Sequence, residues 1–477
     1  MPLILGTNSI KDTGYNVANS LRVDRNSSAY LTRTEDTDQS DGKKITISVW
    51  FKLGAQLGTT RYFFGGHADG SYTNEIGITS NDQLNFSCIA NGTNQVTTNR
   101  VFRDPSAWYH VVAVLDSTQG TDTNRIKLYI NGVEETDFAS SSYPSEDAVT
   151  EYLKNGGVTR VGDKGSGGNN FDGYLAEVCV LDGQALDQTS FGEFDEDSPT
   201  IWKPIDVSDL TFGNNGFYLD FEDSSNLGND VSGNNSDFSS NNLAATDQSI
   251  DTCTNNYATF NSLSKNDAGT VTFSEGNLKI AHSGSDSRYT GYSTIAVTQG
   301  KWYAEFKYEA SSGGSDVMVG IGDLPEMENL NRQGSRFAYA GNSVAYYADS
   351  GDKYVGPNNT ISSYGDSYTV GDILGVAMDL DNGYVYFSKN GTFQNSGNPA
   401  SGSTGTGGIS FTTGNPFIIG SSHVTTGSRT STYSANYGSP PFAISSGNSD
   451  GRGYGNFEYS VPSGYYALNT KNLAEFG

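Results

Sequence analysis

Two similar pairs of segments decide the fold of this chain. The first pair is WYHVVAV at residues 108–114 and IKLYING at 126–132, and the second pair is WYAEF at 302–306 and VYFSKNG at 385–391. Each time a Trp-Tyr pair enters a segment in which apolar and polar residues alternate, the period of a strand with one buried face. The second segment of each pair ends on Asn-Gly, which tolerates the positive φ of a tight hairpin turn. The segments therefore predict an all-β chain with two antiparallel sandwiches in tandem.

The composition agrees with a turn-rich β protein. The 477 residues include 58 glycines, 12% are aromatic, and only 17% are charged. Length alone fits roughly three domains of about 150 residues or two of about 220, and sandwiches often reach the larger size. No window of ~18 apolar residues exists, so no membrane-spanning helix is predicted.

The formal net charge of -26 excludes several classes of partner. Nucleic acid and anionic membrane surfaces both require clustered Lys and Arg on the protein. The acidic residues are spread along the chain, which favours solubility rather than one cation site. We expect no nucleic-acid partner and no membrane insertion.

The N-terminus and the cysteines suggest a cytoplasmic origin. A short apolar run follows Met1, but it lacks the basic leader and the full apolar segment of a signal peptide. Cys88, Cys179 and Cys253 are odd in number and have no metal-like spacing, so no disulfide framework is expected. Cys179 lies in an alternating segment and is interpreted as a small buried hydrophobe.

Changes in composition along the chain predict four segments. Residues 1–20 have too little apolar surface to fold alone and are expected to dock against the first sandwich or a neighbouring chain. Residues 21–225 form the first sandwich, and the Asn/Ser-rich residues 226–256 form an ordered connector. Residues 257–477 form the second sandwich with a C-terminal extension.

The first sandwich resembles laminin-G-like, concanavalin-A-like domains. The strand WYHVV at 108–112, the hairpin RIKLYING at 125–132 and the segment FDGYLAEV at 171–178 match that family's motifs in the family's order. LDGQAL at 181–186 extends the third motif. The resemblance covers roughly residues 20–220 and implies a jelly roll.

The second sandwich resembles a SPRY domain, which is another two-sheet fold. GKWYAE at 300–305, VGIG at 319–322 and GDILGVAMD at 371–379 carry the resemblance, and VYFSKNG at 385–391 matches the family's hairpin. It covers about residues 257–445.

The whole arrangement, with the ending PSGYYALNTKNL at 462–473, is similar to virion proteins of tailed bacteriophages, especially marine ones. That resemblance implies assembly into a phage particle, without fixing whether the chain stands on the tail or the capsid.

Catalytic patterns are weak, and no catalytic residue is predicted. Retaining glucanases of the concanavalin-A-like fold need paired carboxylates in the pattern Glu-x-Asp-x-x-Glu. Glu193 and Asp195 approach this pattern, but Ser198 stands where the last carboxylate would be. His110 is interpreted as a satisfied structural histidine, and no Gly-x-Ser-x-Gly elbow is present. A glycan hydrolase is kept only as a remote alternative.

Calcium is the one cofactor that we consider. Many laminin-G-like domains bind it at the rim of the sandwich, and hard cations prefer carboxylate and carbonyl oxygens. By their positions in turns, the candidate ligands are Asp69, Asp163 and Asp172. The alternative is that these aspartates serve only as turn residues.

Glycan recognition requires aromatic rings that stack on sugars, with amide and charged groups nearby for hydroxyls. Two sets of residues have these types, and the alternative for any single tyrosine is a core or rim position. In the second domain, in the region that resembles the binding surface of SPRY domains, the candidates are Asn331, Arg332, Arg336, Tyr346, Tyr347, Asp349 and Tyr354. In the first domain they are His67, Asp69, Tyr72 and Asn74.

These features favour a non-enzymatic virion protein. We expect a tail fibre, tail-associated or capsid fibre protein that contacts host surface glycans through lectin-like loops. Its partners would be other virion proteins and copies of itself, because weak single sites gain strength from multiple copies. The alternative is a capsid decoration or fibre-anchoring protein whose loops contact only proteins.

Overall fold

The computed structural model describes residues 14–55, 57–67, 74–89, 94–164, 169–264, 270–284, 288–312, 317–324, 336–339, 341–424 and 429–477. The chain forms two compact units, with the boundary between Thr254 and Asn255. The first unit extends from Thr13 to Thr254, and the second contains Asn255–Gly477.

The first unit is built from short strands. Its strands are β1 (Ser20–Val23), β2 (Tyr30–Thr34), β3 (Lys44–Leu53), β4 (Arg61–His67), β5 (Asn74–Ile78), β6 (Gln83–Ile89), β7 (Asn94–Val101), β8 (Trp108–Asp116), β9 (Ile126–Ile130), β10 (Val133–Glu134), β11 (Phe138–Ser141), β12 (Val158–Val161), β13 (Gly173–Asp182), β14 (Gly192–Phe194), β15 (Trp202–Pro204), β16 (Phe217–Leu219), β17 (Ser239–Asn241) and β18 (Gln248–Ser249).

Two antiparallel sheets enclose the core of the first unit. One has the order β10-β9-β8-β3-β13-β1-β18, with β16 also pairing with β13, and the other has the order β11-β7-β6-β5-β4-β12-β2-β17. Central strands such as β3 and β13 are buried on both faces, whereas outer ones such as β9 alternate buried and half-buried side chains. Alternate residues of β3, such as Ile47, Val49 and Phe51, are buried between the sheets. Loops cover the opposite face of β3, where Trp50 contacts Val17 and Ala176.

The regular elements of the second unit are also almost all strands. Its elements are β19 (Thr270–Ser274), β20 (Lys279–Gly284), β21 (Arg288–Tyr292), β22 (Lys301–Ser312), β23 (Val317–Asp323), β24 (Ser343–Tyr347), β25 (Asp352–Val355), β26 (Thr360–Ser363), β27 (Ile373–Asp379), β28 (Tyr384–Lys389), β29 (Thr392–Phe393), β30 (Ile409–Ser410), β31 (Phe417–Val424), β32 (Arg429–Asn436), β33 (Tyr466–Ala467) and α1 (Thr470–Phe476).

These strands form a second sandwich. One sheet has the order β19-β20-β32-β22-β27-β28-β29, with β30 on β28 and β33 on β22, and the other has the order β21-β31-β23-β24-β25-β26. The prediction of an all-β chain is confirmed. In the part of the chain that is described, no helix has the length and apolarity needed to cross a membrane.

The two Asn-Gly hairpins are as the sequence predicts. Asn131 and Gly132 have φ of 48° and 77°, and Asn390 and Gly391 have φ of 47° and 81°. The flanking residues pair directly, Ile130 with Val133 and Lys389 with Thr392. Positive φ at both central residues is the geometry that matches the twist of the strands.

Residues 226–254, in the segment expected to be a connector, pack within the first unit. β17 pairs with β2 and β18 pairs with β1, so both strands extend the first unit's sheets. Asp251 accepts a 2.7 Å ion-pair contact from Lys52, and both side chains are 1% exposed. At the other end of the unit, the backbone N–H of Val17 donates to Thr254 Oγ1 at 3.1 Å.

Candidate binding surface

The six-stranded sheet of the second unit has two chemically different faces. The ring of Tyr346 on β24 stacks with Phe387 of the other sheet, with centroids 5.7 Å apart, so Tyr346 faces the sandwich core. Its neighbour Tyr347 must face the opposite way, because successive side chains of a strand alternate. Tyr354 on β25 pairs with Ala345 and therefore shares the outer face with Tyr347.

Two arginines stack on tyrosines at this outer face. Arg336 Cζ lies 4.9 Å from the ring centroid of Tyr354, and Arg288 Cζ lies 5.3 Å from that of Tyr339. The rings of Tyr347 and Tyr354 are 5.1 Å apart and inclined at 55°. We call these five residues the arginine–tyrosine cluster.

The cluster has a buried floor and an open rim. Tyr354 is 9% exposed and packs on Phe337, Ala338 and Ala345, whereas Tyr339 is 54% exposed. Arg288, Arg336 and Tyr347 are half-buried. The turn that carries Tyr339 is held by its backbone N–H, which donates to Arg336 O at 3.3 Å. The rim therefore presents ring faces and guanidinium groups to solvent.

Burial lowers the pKa of Arg336, and the nearby charge of Arg288 lowers it further, while Tyr354 and Tyr347 raise it. The two guanidinium groups are therefore close enough to repel each other. A guanidinium stays charged at physiological pH, so the rim carries two positive charges.

The remaining predicted residues of the second domain are scattered. Tyr346 is 0% exposed, and its hydroxyl donates to the backbone oxygen of Asp366. The strand turns this ring into the core, which is the core position given above as the alternative for any single tyrosine. Asp349 is exposed in the turn after β24. Asn331 and Arg332 lie outside the described residues.

In the first unit, most of the predicted glycan residues cannot be placed. The side chain of His67, together with Asp69 and Tyr72, lies outside the described residues. Asn74 is 0% exposed, and its Nδ2 donates to Thr150 Oγ1 at 2.9 Å. Asn74 therefore has a structural contact within the unit.

The predicted calcium ligands have other partners where they are described. Asp163 is 0% exposed, and its Oδ2 accepts a 2.6 Å hydrogen bond from Arg160. Asp172 is 2% exposed, and its charge raises the pKa of Arg61 against the lowering effect of burial. The described residues contain no group of three or more His, Cys, Asp or Glu placed to hold a metal ion. Calcium binding stays a prediction.

His110 is fully satisfied, as expected. Trp202 Nε1 donates to His110 Nδ1 at 2.9 Å, so Nε2 carries the proton and donates to Ser48 Oγ at 2.9 Å. Burial lowers the pKa of His110 to about 3, which keeps the ring neutral. The carboxylates of Glu193 and Asp195 share one cation, Lys203, at 3.3 and 3.4 Å.

Sequence reasoning missed two members of the cluster, Arg288 and Tyr339. Arg288 begins β21, almost fifty residues before Arg336 in the sequence, and the folded chain brings their charges close enough to interact. No local motif marks either residue. One signal was present for the two neighbouring tyrosines. Because successive side chains of a strand face opposite sides of a sheet, Tyr346 and Tyr347 must lie on different faces once residues 343–347 are recognised as a strand.

Two parts of the chain match known family models. Residues 25–190 match the family model described as the concanavalin A-like lectin/glucanases superfamily, and residues 301–409 match the SPRY domain model. The chain contains a concanavalin A-like domain and a SPRY domain. The arginine–tyrosine cluster belongs to the unit that contains the SPRY match.

The curated relatives are similar only in part. Ran-binding protein 10 of Danio rerio is 27% identical over 127 residues, which cover 25% of this chain and 20% of the relative. Human Ran-binding protein 9 is 27% identical over 127 residues, covering 25% of this chain and 17% of the relative. The chain thus spans about a fifth of the length of the curated relatives that it matches.

Two solved structures resemble parts of the chain. The SPRY domain of human HERC1 has 17% identity and a TM-score of 0.26, and the match covers 33% of this chain and 87% of that one. A heptameric SAP-like pentraxin from Limulus polyphemus has 18% identity and a TM-score of 0.26, with 36% and 80% covered.

Proposed function

We propose that this chain is a non-enzymatic binding protein that contacts host surface glycans through the arginine–tyrosine cluster of its second unit. One observation carries the proposal: Tyr347 and Tyr339 offer ring faces beside two guanidinium groups on the outer face of one sheet. Aromatic rings bind the C–H faces of sugars, and neighbouring polar groups bind their hydroxyls.

The place of action is a tailed-phage virion, on a tail fibre, a tail-associated position or a capsid fibre. The support for this position in the virion is the sequence resemblance, in particular the two domains in this order followed by the ending at residues 462–473. The partners are other virion proteins and further copies of the chain. Several weak sites on one particle would add up to firm attachment.

A binding assay with a matched control tests the glycan role. Tyr347→Ala removes a rim ring and should weaken binding of the chain to host surface polysaccharide at least about fivefold. Tyr454→Ala is the control, because Tyr454 is half-buried like Tyr347 but lies on the C-terminal segment, where it packs against Lys471. Equal binding by both variants and the unmodified protein would remove the cluster from this role.

A separate experiment tests whether the protein is part of a phage particle. Antibodies against the purified chain should label intact particles from lysates that carry the coding sequence, and they should block adsorption to the host. Labelling only of free protein would remove the virion assignment while leaving glycan binding intact.

One observation favours the second candidate, a decoration or anchoring protein. β26 ends its sheet, all four of its residues are exposed, and Ile361 is 49% exposed. An open edge strand is a template for strand addition by another protein. On this reading, Ile361→Lys should reduce incorporation into particles without changing glycan binding.

A further inference from the structure

Positive charge is scarce in this chain, and part of it is gathered in the cluster. The sequence has 28 Lys and Arg against 54 Asp and Glu, and residues 255–477 have 12 against 18. Two of those 12 cations, Arg288 and Arg336, lie near each other on one sheet face. Holding like charges together costs free energy unless an anion lies between or beside them.

Arg336 is not neutralised by its described surroundings. No carboxylate within the described ranges forms an ion pair with it, and its contact is the ring of Tyr354. On β25, the Asp352 carboxylate instead accepts a 2.7 Å hydrogen bond from Ser350. The guanidinium of Arg336 is therefore held in place by the ring of Tyr354 and by a side-chain hydrogen bond with the same residue. Its Nε–H is buried and has no hydrogen-bond partner among the described residues, so the group keeps donor capacity for an anion.

We infer that the arginine–tyrosine cluster binds an acidic sugar, a pyranose that carries a carboxylate or a sulfate. A planar guanidinium offers paired donors that match the two oxygens of such a group. The C–H face of the same sugar packs on Tyr339 or Tyr347. This inference rests on the proposed glycan-binding function and narrows its ligand.

The shape of the cluster favours a sugar over an acidic peptide. Peptide recognition usually depends on a pocket that receives an anchoring side chain. Here Tyr354 fills the floor and is 9% exposed, and Phe337 and Ala338 close the space beneath it. What remains is a surface of rings and hydroxyls flanked by charges, which suits a flat, hydroxylated ligand.

Titration calorimetry of the full chain separates the possible ligands. The probes are uronic-acid oligosaccharides from alginate, dextran sulfate, uncharged dextran and β-glucan oligosaccharides of matched length, and poly-glutamate. We expect at least one acidic glycan to bind about tenfold or more tightly than its uncharged counterpart, with affinity falling as salt rises. The alginate and dextran sulfate arms distinguish a carboxylate from a sulfate.

Substitutions then assign the effect to the cluster. Arg336→Ala should weaken acidic-glycan binding about tenfold or more. Arg336→Lys should restore only part of the affinity, because a lysine ammonium lacks the two parallel N–H donors of a guanidinium. Arg452→Ala is the control, since Arg452 is an exposed arginine that forms an ion pair with Glu475 on the C-terminal segment. Unchanged near-ultraviolet circular dichroism and melting temperature verify that each variant is folded.

The outcomes separate the inference from the function on which it rests. Equal binding of acidic and uncharged glycans, or no loss in Arg336→Ala, overturns the inference but leaves glycan binding. Binding of poly-glutamate alone overturns both in favour of an acidic protein partner. Absence of binding to every glycan overturns the proposed function itself.

Discussion

Glu177 is the clearest case of a single residue whose environment sets a measurable property. It lies at a bulge of β13, has φ of 49°, and is 7% exposed. Its Oε2 accepts hydrogen bonds from Tyr218 at 2.7 Å and from Tyr15 at 3.4 Å. Burial nevertheless raises the pKa of this carboxyl to about 7, and the charges of Asp220 and Glu222 add to the effect.

This pKa predicts how Glu177→Gln changes stability with pH. In the native protein the proton is retained up to about pH 7, whereas the unfolded chain loses it near 4.5. Folding is therefore penalised increasingly as pH rises from about 4.5 to 7, reaching about 3 kcal/mol. A neutral amide avoids this penalty and still accepts from Tyr218. We expect the variant to match the unmodified protein near pH 4.5 and to exceed its free energy of unfolding at pH 8.

Urea unfolding at both pH values measures the difference. Glu196→Gln is the control, because Glu196 is exposed, does not contribute to the raised pKa of Glu177 and should change stability little. A Glu177→Gln variant that is less stable than the unmodified protein at pH 8 would mean that the ionised carboxylate is a stabilising group.

For single residues, the sequence indicated which residue types deserved attention more reliably than it indicated which of their side chains are buried. His110 and Cys179 are buried as expected, and Cys179 is 1% exposed. Tyr346 was grouped with Tyr347 because both are tyrosines in one short segment, yet their rings face opposite sides of the sheet. Glu177 stood inside a motif already recognised, but nothing local reveals that a bulge and two distant tyrosines would bury its carboxyl.

Among the elements, the Asn131-Gly132 hairpin carries a steric prediction. Gly132 has φ of 77°, and a Cβ atom there would overlap the ring of Trp202. Gly132→Ala therefore combines backbone strain with a clash against the ring that also binds His110, and should cost about 2–4 kcal/mol. Gly156→Ala has the same type of φ, 76°, with nothing within 4 Å of the new Cβ. It should cost only about 1 kcal/mol, and thermal unfolding compares the two.

A cost no greater for Gly132→Ala than for Gly156→Ala would show that Trp202 moves aside freely. The hairpin itself is the part of the fold that sequence predicts best, because Asn-Gly and strand alternation are both local signals. Segments 239–241 and 248–249 were not predicted as strands, since their Asn- and Ser-rich sequences resemble loops. They become strands only by pairing with β2 and β1, more than 200 residues away.

At the scale of one sandwich, two histidines predict sensitivity to acid. His282 on β20 and His423 on β31 come from opposite sheets, and their ring centroids are 5.6 Å apart. Burial, with the neighbouring His282, lowers the pKa of His423 well below its usual value. The rings of Tyr289 and Tyr433 pack against the pair, and no described carboxylate contributes to the shift.

The native second unit therefore resists protonation of His423, whereas the unfolded chain takes up the proton near pH 6.5. Stability from this group is complete above pH 6.5 and is lost as pH falls below it. His423→Gln keeps a polar partner for Ser431, which lies 2.7 Å from His423 Nδ1, but cannot become charged. Denaturant unfolding at pH 7 and pH 5 should show a smaller acid loss in the variant, and an equal loss would assign the acid sensitivity to other groups.

Each unit has its own hydrophobic core, so each should unfold as its own cooperative step. Val111 on β8 and Val376 on β27 are both 0% exposed and lie on central strands of their units. Truncation to alanine should cost about 2 kcal/mol at either site and lower one melting temperature by about 4–8 °C. Scanning calorimetry of Val111→Ala should move only the first unit's transition, and Val376→Ala only the second's. If either variant shifted both transitions equally, the two units would be folding as one.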